Sequence, residues 1–537
     1  MKIATVHIHN FRSIIDEHFR LFDFNLLVGA NNAGKSSCVD ALRFFFSNTD
    51  LSNKLDSPTG IHVLGKDESW VQLSFTSECN SEESTLRELV PYGASAIRRY
   101  LKCVNGKSEF RAVDSNGNAL GAKITGVPEK LRELFGDIVY IPTSNDITDF
   151  TKLTGPSTFR DVALELMNSA LEVESIKSYN ELKRAIEAFS RSFNESSAVM
   201  EFKRRMEEQL GQWGCGVDIN LTSPQNVAEI VKNMMSLKIV DTMSGNDREV
   251  STQGSGFSRQ FIFRLLKTCS EMKQKKASGD RSLKRRQILL FEEPEAFLHS
   301  EQQAELAREL RSLADNGYQV VCTTHSSQFL STNFDDFKSV IRLHKKDGRT
   351  KIAQVTEDDL STFLSDTPTG PNVTLTGEET EVKYLLLLNP NRCGAFFSDN
   401  VLLVEGTTEE VLINTMLSDG TLTLPHGAFV LECLGKYNMP RLMFLLDKFG
   451  ISHSVLLDKD ESSDQQKWND YILRNKTKRT RAIKFLDPDL ERCLGLPKFK
   501  GDNWKKPQSI LMKYKGKIIP TQNIEKFKGL VESLCAK

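Results

Sequence analysis

The sequence predicts an α/β protein made of two successive strand–helix units, and three observations carry that expectation. Gly29-Ala30-Asn31-Asn32-Ala33-Gly34-Lys35-Ser36 follows the apolar run Asn25-Leu26-Leu27-Val28. Ile288-Leu289-Leu290-Phe291 runs directly into Glu292-Glu293. Far downstream, Val401–Val404 ends in Glu405, and His453–Leu457 ends in Asp458-Lys459-Asp460. Apolar strands that end in phosphate-binding or acidic residues are the signature of parallel sheets whose carboxyl edge carries a site.

The first of these is G-x-x-x-x-G-K-[ST] between a strand and a helix, the context that motif requires. Its glycines let backbone N–H groups wrap phosphates at a helix N-terminus. Asn31, Asn32, Gly34, Lys35, Ser36 and Ser37 are the expected nucleotide contacts. Lys35 neutralises the β/γ-phosphates, and Ser36 offers its hydroxyl to Mg²⁺. In the second segment, Glu292 is expected at the metal and Glu293 as the acid that polarises the attacking water. A further strand, Gln319–Thr324, delivers His325, the candidate γ-phosphate sensor.

The third segment places a glutamate after one strand and D-x-D after another about fifty residues later. If the D-x-D segment stays extended, Asp458 and Asp460 point the same way. Carboxylate oxygens suit Mg²⁺ or Mn²⁺ and not a soft metal. Two ions about 4 Å apart could activate water and stabilise the leaving oxygen of a phosphodiester.

The rest of the chain is read around these segments. Residues 1–156 carry strands around one helix at Cys38–Phe46, with further strands at Val71–Phe75 and Ile138–Ile141. Residues 157–237 recur at helical spacing and read as an insertion, a candidate dimerisation element. The strand–helix rhythm returns over 238–364. Pro368 and Pro371 mark 365–395 as a linker, and 396–537 forms the second α/β domain.

Of 537 residues, 26% are charged and 39% hydrophobic, ordinary values for a globular protein. No apolar run approaches the roughly 20 residues needed to cross a bilayer, and the N-terminal strand pattern lacks a signal-peptide core. The ten cysteines form no C-x-x-C pair, which points away from zinc ribbons and disulfide frameworks and toward a reducing cytoplasm. Net charge is −1 overall, yet residues 464–537 hold 18 Lys and Arg against 8 Asp and Glu. That basic segment is either a polyanion-binding surface or a solvated lysine-rich face.

The P-loop, acidic strand and histidine, with Asn10-Phe11-Arg12-Ser13 and the Glu293–His299 run, resemble the ABC-type ATPases of the SMC and RecF kind. That resemblance implies ATP hydrolysis at a dimer of heads, each lending a signature loop to the other. The candidate loop, Ser251–Gln260 with Ser255, departs from the usual L-S-G-G-Q. The downstream carboxylates resemble the Toprim fold. Together the two halves resemble the OLD (overcoming lysogenization defect) family of ATPase–Toprim nucleases, which includes the Gabija nuclease subunit and the effectors of some retrons.

Carried over by motif, Glu405, Glu409, Asp458 and Asp460 are metal ligands. Phe485–Glu491 is the acidic element, and Lys506, favoured over the nearby Lys513, is the catalytic lysine. The resemblance implies DNA as substrate, ATP and Mg²⁺ or Mn²⁺ as cofactors, and a setting in anti-phage defence. It further implies a homodimer or higher oligomer, with a helicase-like protein or a retron reverse transcriptase and its DNA as partner. The alternative is a RecF/SMC-like DNA-binding ATPase of DNA repair whose second domain does not cut. Retained Glu405, Asp458 and Asp460 weigh against it.

Overall fold

The computed structural model describes residues 1–46, 68–77, 80–90, 94–102, 109–135, 138–143, 176–210, 238–240, 247–249, 256–257, 260–264, 267–268, 286–330, 334–359 and 391–536. The chain divides into two compact units, one of Met1–Thr143 with Arg285–Lys537 and one of Ser144–Lys284.

In the first unit, β1 (Lys2–Phe11) and β2 (Ile14–Arg20) form an antiparallel hairpin, and β3 (Phe24–Val28) is buried at all five positions. The P-loop then opens α1 (Lys35–Phe46). Next come β4 (Ser69–Thr76), α2 (Asn80–Leu89), β5 (Ala94–Lys102), β6 (Glu109–Asp114), β7 (Ala119–Ile124), α3 (Val127–Phe135) and β8 (Val139–Ile141). The expectation of a single helix in this stretch is corrected by α2 and α3. In α3, Val127, Leu131, Leu134 and Phe135 are the buried residues, a helical stripe only nine residues long. In α2, charge hides the period, because Glu83, Arg87 and Glu88 fall within ten residues.

The second unit contributes α4 (Ile176–Asn194), α5 (Ser197–Leu210) and a short antiparallel pair, β9 (Lys238–Val240) with β10 (Asp247–Glu249). The candidate helical insertion 157–237 lies inside this unit. Ser255 and the rest of the candidate signature serine–glycine run up to it lie outside the described residues.

Returning to the first unit, β11 (Gln287–Glu292), α6 (Ser300–Asp315), β12 (Tyr318–Thr324), β13 (Val340–Lys346) and β14 (Arg349–Gln354) complete the larger sheet. Among the described residues it has 12 strands, ordered β7-β6-β5-β4-β1-β2-β14-β13-β3-β12-β11-β8. From β13 to β8 every pairing is parallel. Strands buried on both faces read as continuous apolar runs, which is why β3, β11 and β12 are visible in the sequence.

Most of the expected linker lies outside the described residues. Beyond it come β15 (Asn400–Val404), α7 (Thr407–Ser418), β16 (Ala428–Glu432), α8 (Met439–Lys448), β17 (Ser452–Asp458), α9 (Ser463–Arg474) and β18 (Thr480–Leu486). Short α10 (Leu490–Cys493), α11 (Lys506–Lys515) and α12 (Thr521–Cys535) follow. The four strands form an all-parallel sheet ordered β16-β15-β17-β18. Its core joins Leu402, Val404 and Leu456 of the sheet to Leu412 and Ile413 of α7 and Phe527 and Val531 of α12. No helix among the described residues is long and apolar enough to cross a membrane.

Candidate functional site

Two candidate sites form, one at the carboxyl edge of the parallel part of the larger sheet and one at that of the smaller, all-parallel sheet. In the larger sheet, β3 pairs with β12 and β12 with β11, with Val28 opposite Thr324 and Thr323 opposite Glu292. This register sets the P-loop, His325 and Glu293 side by side. A Cβ at Gly29 (φ 145°) would collide with the carbonyl oxygen of Leu343, and one at Gly34 (φ 110°) with Thr350 Oγ1. The motif glycines are therefore required by close approach and by backbone conformation together. Thr350 grips the loop: its Oγ1 donates to Ala33 O at 2.8 Å, and its N–H donates to Ser13 O.

Asn31, Asn32 and Ser36 are exposed at the loop surface, while Lys35 and Ser37 are buried. Lys35 Nζ donates to the carbonyls of Gly29 and Ala30, each at 3.0 Å. Burial pulls its pKa down to about 8, against the opposing pull of Glu293, Glu295 and Glu292. A buried ammonium inside a loop of backbone N–H groups is arranged to receive an anion. Glu293 sits at φ 42°, an unusual conformation for a non-glycine residue, and its N–H donates to both Thr323 O and Thr323 Oγ1. Its Oε1 lies 3.6 Å from His325 Nε2. Burial and then the nearby Lys35 lower the His325 pKa, against the opposing pull of Glu293.

The sequence reading missed the residues that brace this arrangement. Glu292 Oε2 accepts from the Tyr140 and Thr143 hydroxyls, both at 3.3 Å. The Arg43 guanidinium stacks on the Tyr140 ring at 3.6 Å, and Asp40 accepts from both Arg43 and Arg12. Glu295 holds the backbone of His325 through a 2.5 Å bond from His325 N–H, and burial raises the Glu295 pKa. An acid two residues beyond the paired glutamates gives no local signal of that contact.

In the smaller sheet, Glu405 follows β15 and Asp458 ends β17, its paired neighbour. Glu405 Oε2 accepts from Asp458 N–H at 3.1 Å, and Asp458 Oδ1 accepts from Leu490 N–H at 2.9 Å. Glu409 turns back from the first turn of α7 to accept from Gly406 N–H at 3.0 Å. The pKa of Asp458 rises to about 8 through burial first and then the charges of Glu409 and Glu405. Glu409 rises to about 7, again chiefly through burial.

The extended D-x-D geometry expected from sequence does not hold. Asp460 lies past the strand end at φ 51°, its N–H donating to Pro488 O, and it reaches the site by a left-handed turn. Lys506, the first residue of α11, places Nζ 3.0 Å from Glu491 Oε2. Glu491 is 4% exposed, which picks it out from the acidic run 485–491. Lys436, on the turn after β16, is a residue the sequence reading did not single out. Its Nζ lies 2.6 Å from Asp460 Oδ2.

Asp458, Glu405, Glu409 and Asp460 present only oxygen donors, the chemistry of a hard divalent cation. Burial first, and then the neighbouring carboxylates, raise the pKa values of Asp458, Glu409 and Glu405, and a bound cation would favour their charged forms. When bound, such an ion supplies Lewis-acid stabilisation of phosphoryl oxygens and an activated water. The chain's own residues fix the acids through backbone N–H bonds and hold the Lys506 ammonium at the rim. Among the described residues no three acids yet stand as a ready-made metal cluster.

Comparison with known proteins finds a match for each of the two domains. Residues 1–90 and 128–330 match the AAA ATPase domain family, and residues 396–460 match the overcoming lysogenization defect protein-like TOPRIM domain. The chain belongs to the AAA ATPase domain family and carries a TOPRIM domain of the OLD-like type. Among curated OLD-type relatives, it is 22% identical over 470 residues to the Old nuclease of Escherichia phage P2, covering 86% of this chain and 77% of that one. It is 23% identical over 492 residues to endonuclease GajA of Bacillus cereus (strain VD045), covering 88% and 77%. Solved SMC head domains are also similar. The head bound to the C-winged helix domain of ScpA aligns with a TM-score of 0.41 at 16% identity, over 67% of this chain and 100% of that one. The head domain from Thermotoga maritima gives 0.32 at 15%, over 66% and 100%. This pair of domains is that of an ATPase and nuclease enzyme family.

Proposed function

We propose that this OLD-type protein is a Mg²⁺- or Mn²⁺-dependent DNA endonuclease whose ATPase head controls access to the TOPRIM centre. The observation that carries the reading is the gathering of Glu405, Glu409, Asp458 and Asp460 with the Lys506–Glu491 pair at one sheet edge. In the same chain, Lys35, Glu293 and His325 line a separate phosphate loop. In this reading Glu405, Glu409, Asp458 and Asp460 hold the metal, and Lys506 faces the scissile phosphate, where charge develops in the transition state. Lys35 binds the β/γ-phosphates, Ser36 and Glu292 hold the nucleotide's Mg²⁺, and Glu293 orients the attacking water with His325 beside it.

The names of the two curated relatives, a nuclease of a phage and an endonuclease of a bacterium, support cutting of nucleic acid. The OLD-family resemblance of the sequence motivates a role in anti-phage defence alongside a helicase-like or reverse-transcriptase partner. Head-to-head dimerisation, with Ser255 reaching the opposite nucleotide, follows from the ABC resemblance. Six free cysteines among the described residues support a reducing cytoplasm.

The test is incubation of full-length protein with plasmid and Mg²⁺ or Mn²⁺, with and without ATP. Cleavage that requires the metal, disappears in Asp458→Asn and changes with ATP supports the reading. Retained ATPase activity with no cleavage under any metal overturns it in favour of a non-cutting DNA-binding ATPase.

A further inference from the structure

The turn joining β16 to α8 carries a lysine into the acidic cluster. Lys436 is 4% exposed, with Nζ 2.6 Å from Asp460 Oδ2 and 3.9 Å from Glu405 Oε2. Locks independent of these ion pairs hold it there. Gly435 N–H donates to Glu405 O at 2.8 Å, and Asn438 Nδ2 donates to Cys433 O at 2.9 Å and Leu434 O at 3.2 Å. Leu434 and Gly435 both adopt positive φ, at 55° and 105°, so the chain bends sharply just before the lysine. Asp460 is fixed likewise, through Pro488 O at its N–H and Gln466 Nε2 at its carbonyl, the latter at 2.7 Å.

Burying an ammonium costs several kcal/mol unless it is paired, so a buried lysine on a polar turn requires a reason. The pairing supplies one. Carboxylate oxygens bind Mg²⁺ or Ca²⁺ at roughly 2.0–2.6 Å, and the ammonium stands at nearly that distance from Asp460. It lies between two acids that would otherwise converge on an ion.

We propose that Lys436 is a tethered cation that competes with the divalent metal for Asp460 and Glu405, and so sets the metal concentration at which the TOPRIM centre loads. It is a positioning residue: it acts through Asp460 and Glu405. This rests on the reading of those acids as a metal centre.

Isothermal titration of full-length, nucleotide-free protein with Mn²⁺ tests it, using wild type, Lys436→Met, Lys436→Arg and Asp458→Asn. Removing the charge should tighten Mn²⁺ binding at least about tenfold, the size of one partly buried charge interaction. The metal concentration giving half-maximal cleavage should fall in step. Lys436→Arg, which keeps the charge, should stay near wild type. Lys436→Gln reports the same loss of charge should the methionine variant fail to fold. A merely structural lysine predicts the opposite sign, because a loosened site binds metal more weakly. Binding in Lys436→Met and Lys436→Gln that is unchanged or weaker, while Asp458→Asn abolishes it, overturns the role of Lys436 alone. A Mn²⁺ isotherm untouched by Asp458→Asn overturns the metal centre and this inference with it.

Discussion

Arg342 Nη2 lies 2.6 Å from the carbonyl oxygen of Ser398, a bond that ties the ATPase sheet to the TOPRIM sheet. The same guanidinium donates to Phe396 O at 3.0 Å and Phe449 O at 3.3 Å, and the side chain is fully buried. Ser398 lies just before β15 and Phe449 just before β17, the strands that end in Glu405 and Asp458. On the other side, Arg342 pairs with Val28 and is followed by Leu343, whose carbonyl abuts Gly29 of the P-loop. One arginine therefore touches the segments that lead into β15 and β17 from a β-strand that flanks the P-loop.

Arg342→Met should destabilise the protein by about 3–5 kcal/mol, because it leaves several buried carbonyls without donors. Lysine should rescue little, since one ammonium cannot span three carbonyls in the guanidinium's planar fork. Denaturant unfolding measures the loss. Cleavage that no longer responds to ATP at temperatures where the variant is folded would identify the arginine as part of the coupling.

Glu293→Gln should bind ATP and hydrolyse it about 10²-fold or more slowly, as expected when a positioned base is removed. Lys35→Ala should lose nucleotide binding itself. Gly34→Ala should do the same by another route, since its Cβ would strike Thr350 at a φ that L-residues avoid. Nucleotide binding and steady-state phosphate release separate these outcomes. Normal turnover in Glu293→Gln would remove that glutamate from the mechanism.

Asp458→Asn and Glu405→Gln should abolish DNA cleavage while ATP hydrolysis stays near wild type, because the acids line a different sheet edge from the P-loop. Lys506→Met should slow cutting more than it weakens binding. Lys498 and Lys500, both exposed, should behave in reverse. Their joint replacement by alanine should weaken binding to unrelated duplexes alike and flatten the log-affinity against log-salt slope by roughly one to two units. Anisotropy on Asp458→Asn protein over a salt series measures it, and an unchanged slope would assign DNA to another face.

His453 sets a pH dependence of stability. It is fully buried at the start of β17, hydrogen-bonded to Thr480 Oγ1 and paired with Ile451 O, and burial lowers its pKa to about 4. The unfolded chain takes up the proton near pH 6.5 and the folded chain only near pH 4. This contribution is thus complete above pH 6.5 and is lost as pH falls toward 4, by about 3 kcal/mol at most for this one group. His453→Gln should flatten the melting-temperature profile between those pH values, and an unaltered profile would show that other groups govern acid unfolding.

The residues legible in the sequence were those whose local context fixes their role. Gly29 and Gly34 stand in a backbone that no other residue fits, and Glu405 and Asp458 end strands apolar enough to see. Lys436, Thr350 and Arg342 were not legible, because nothing beside them in the chain reports what lies across the fold. Arg342 looks like an ordinary polar position in a strand of alternating character. Asp460 was seen as an acid, but its left-handed turn depends on Pro488, 28 residues away, and no D-x-D spacing encodes that.

The grip of Thr350 on Ala33 joins residues 317 positions apart, and β12 and β13 flank β3 from nearly as far downstream. During synthesis the phosphate loop therefore leaves the ribosome long before the strands that shape it. A nascent chain has no formed nucleotide pocket until translation has passed Gln354, and at that point no strand of the nuclease sheet yet exists. The order of manufacture thus lets the head mature, and even engage nucleotide, before the cutting centre can assemble.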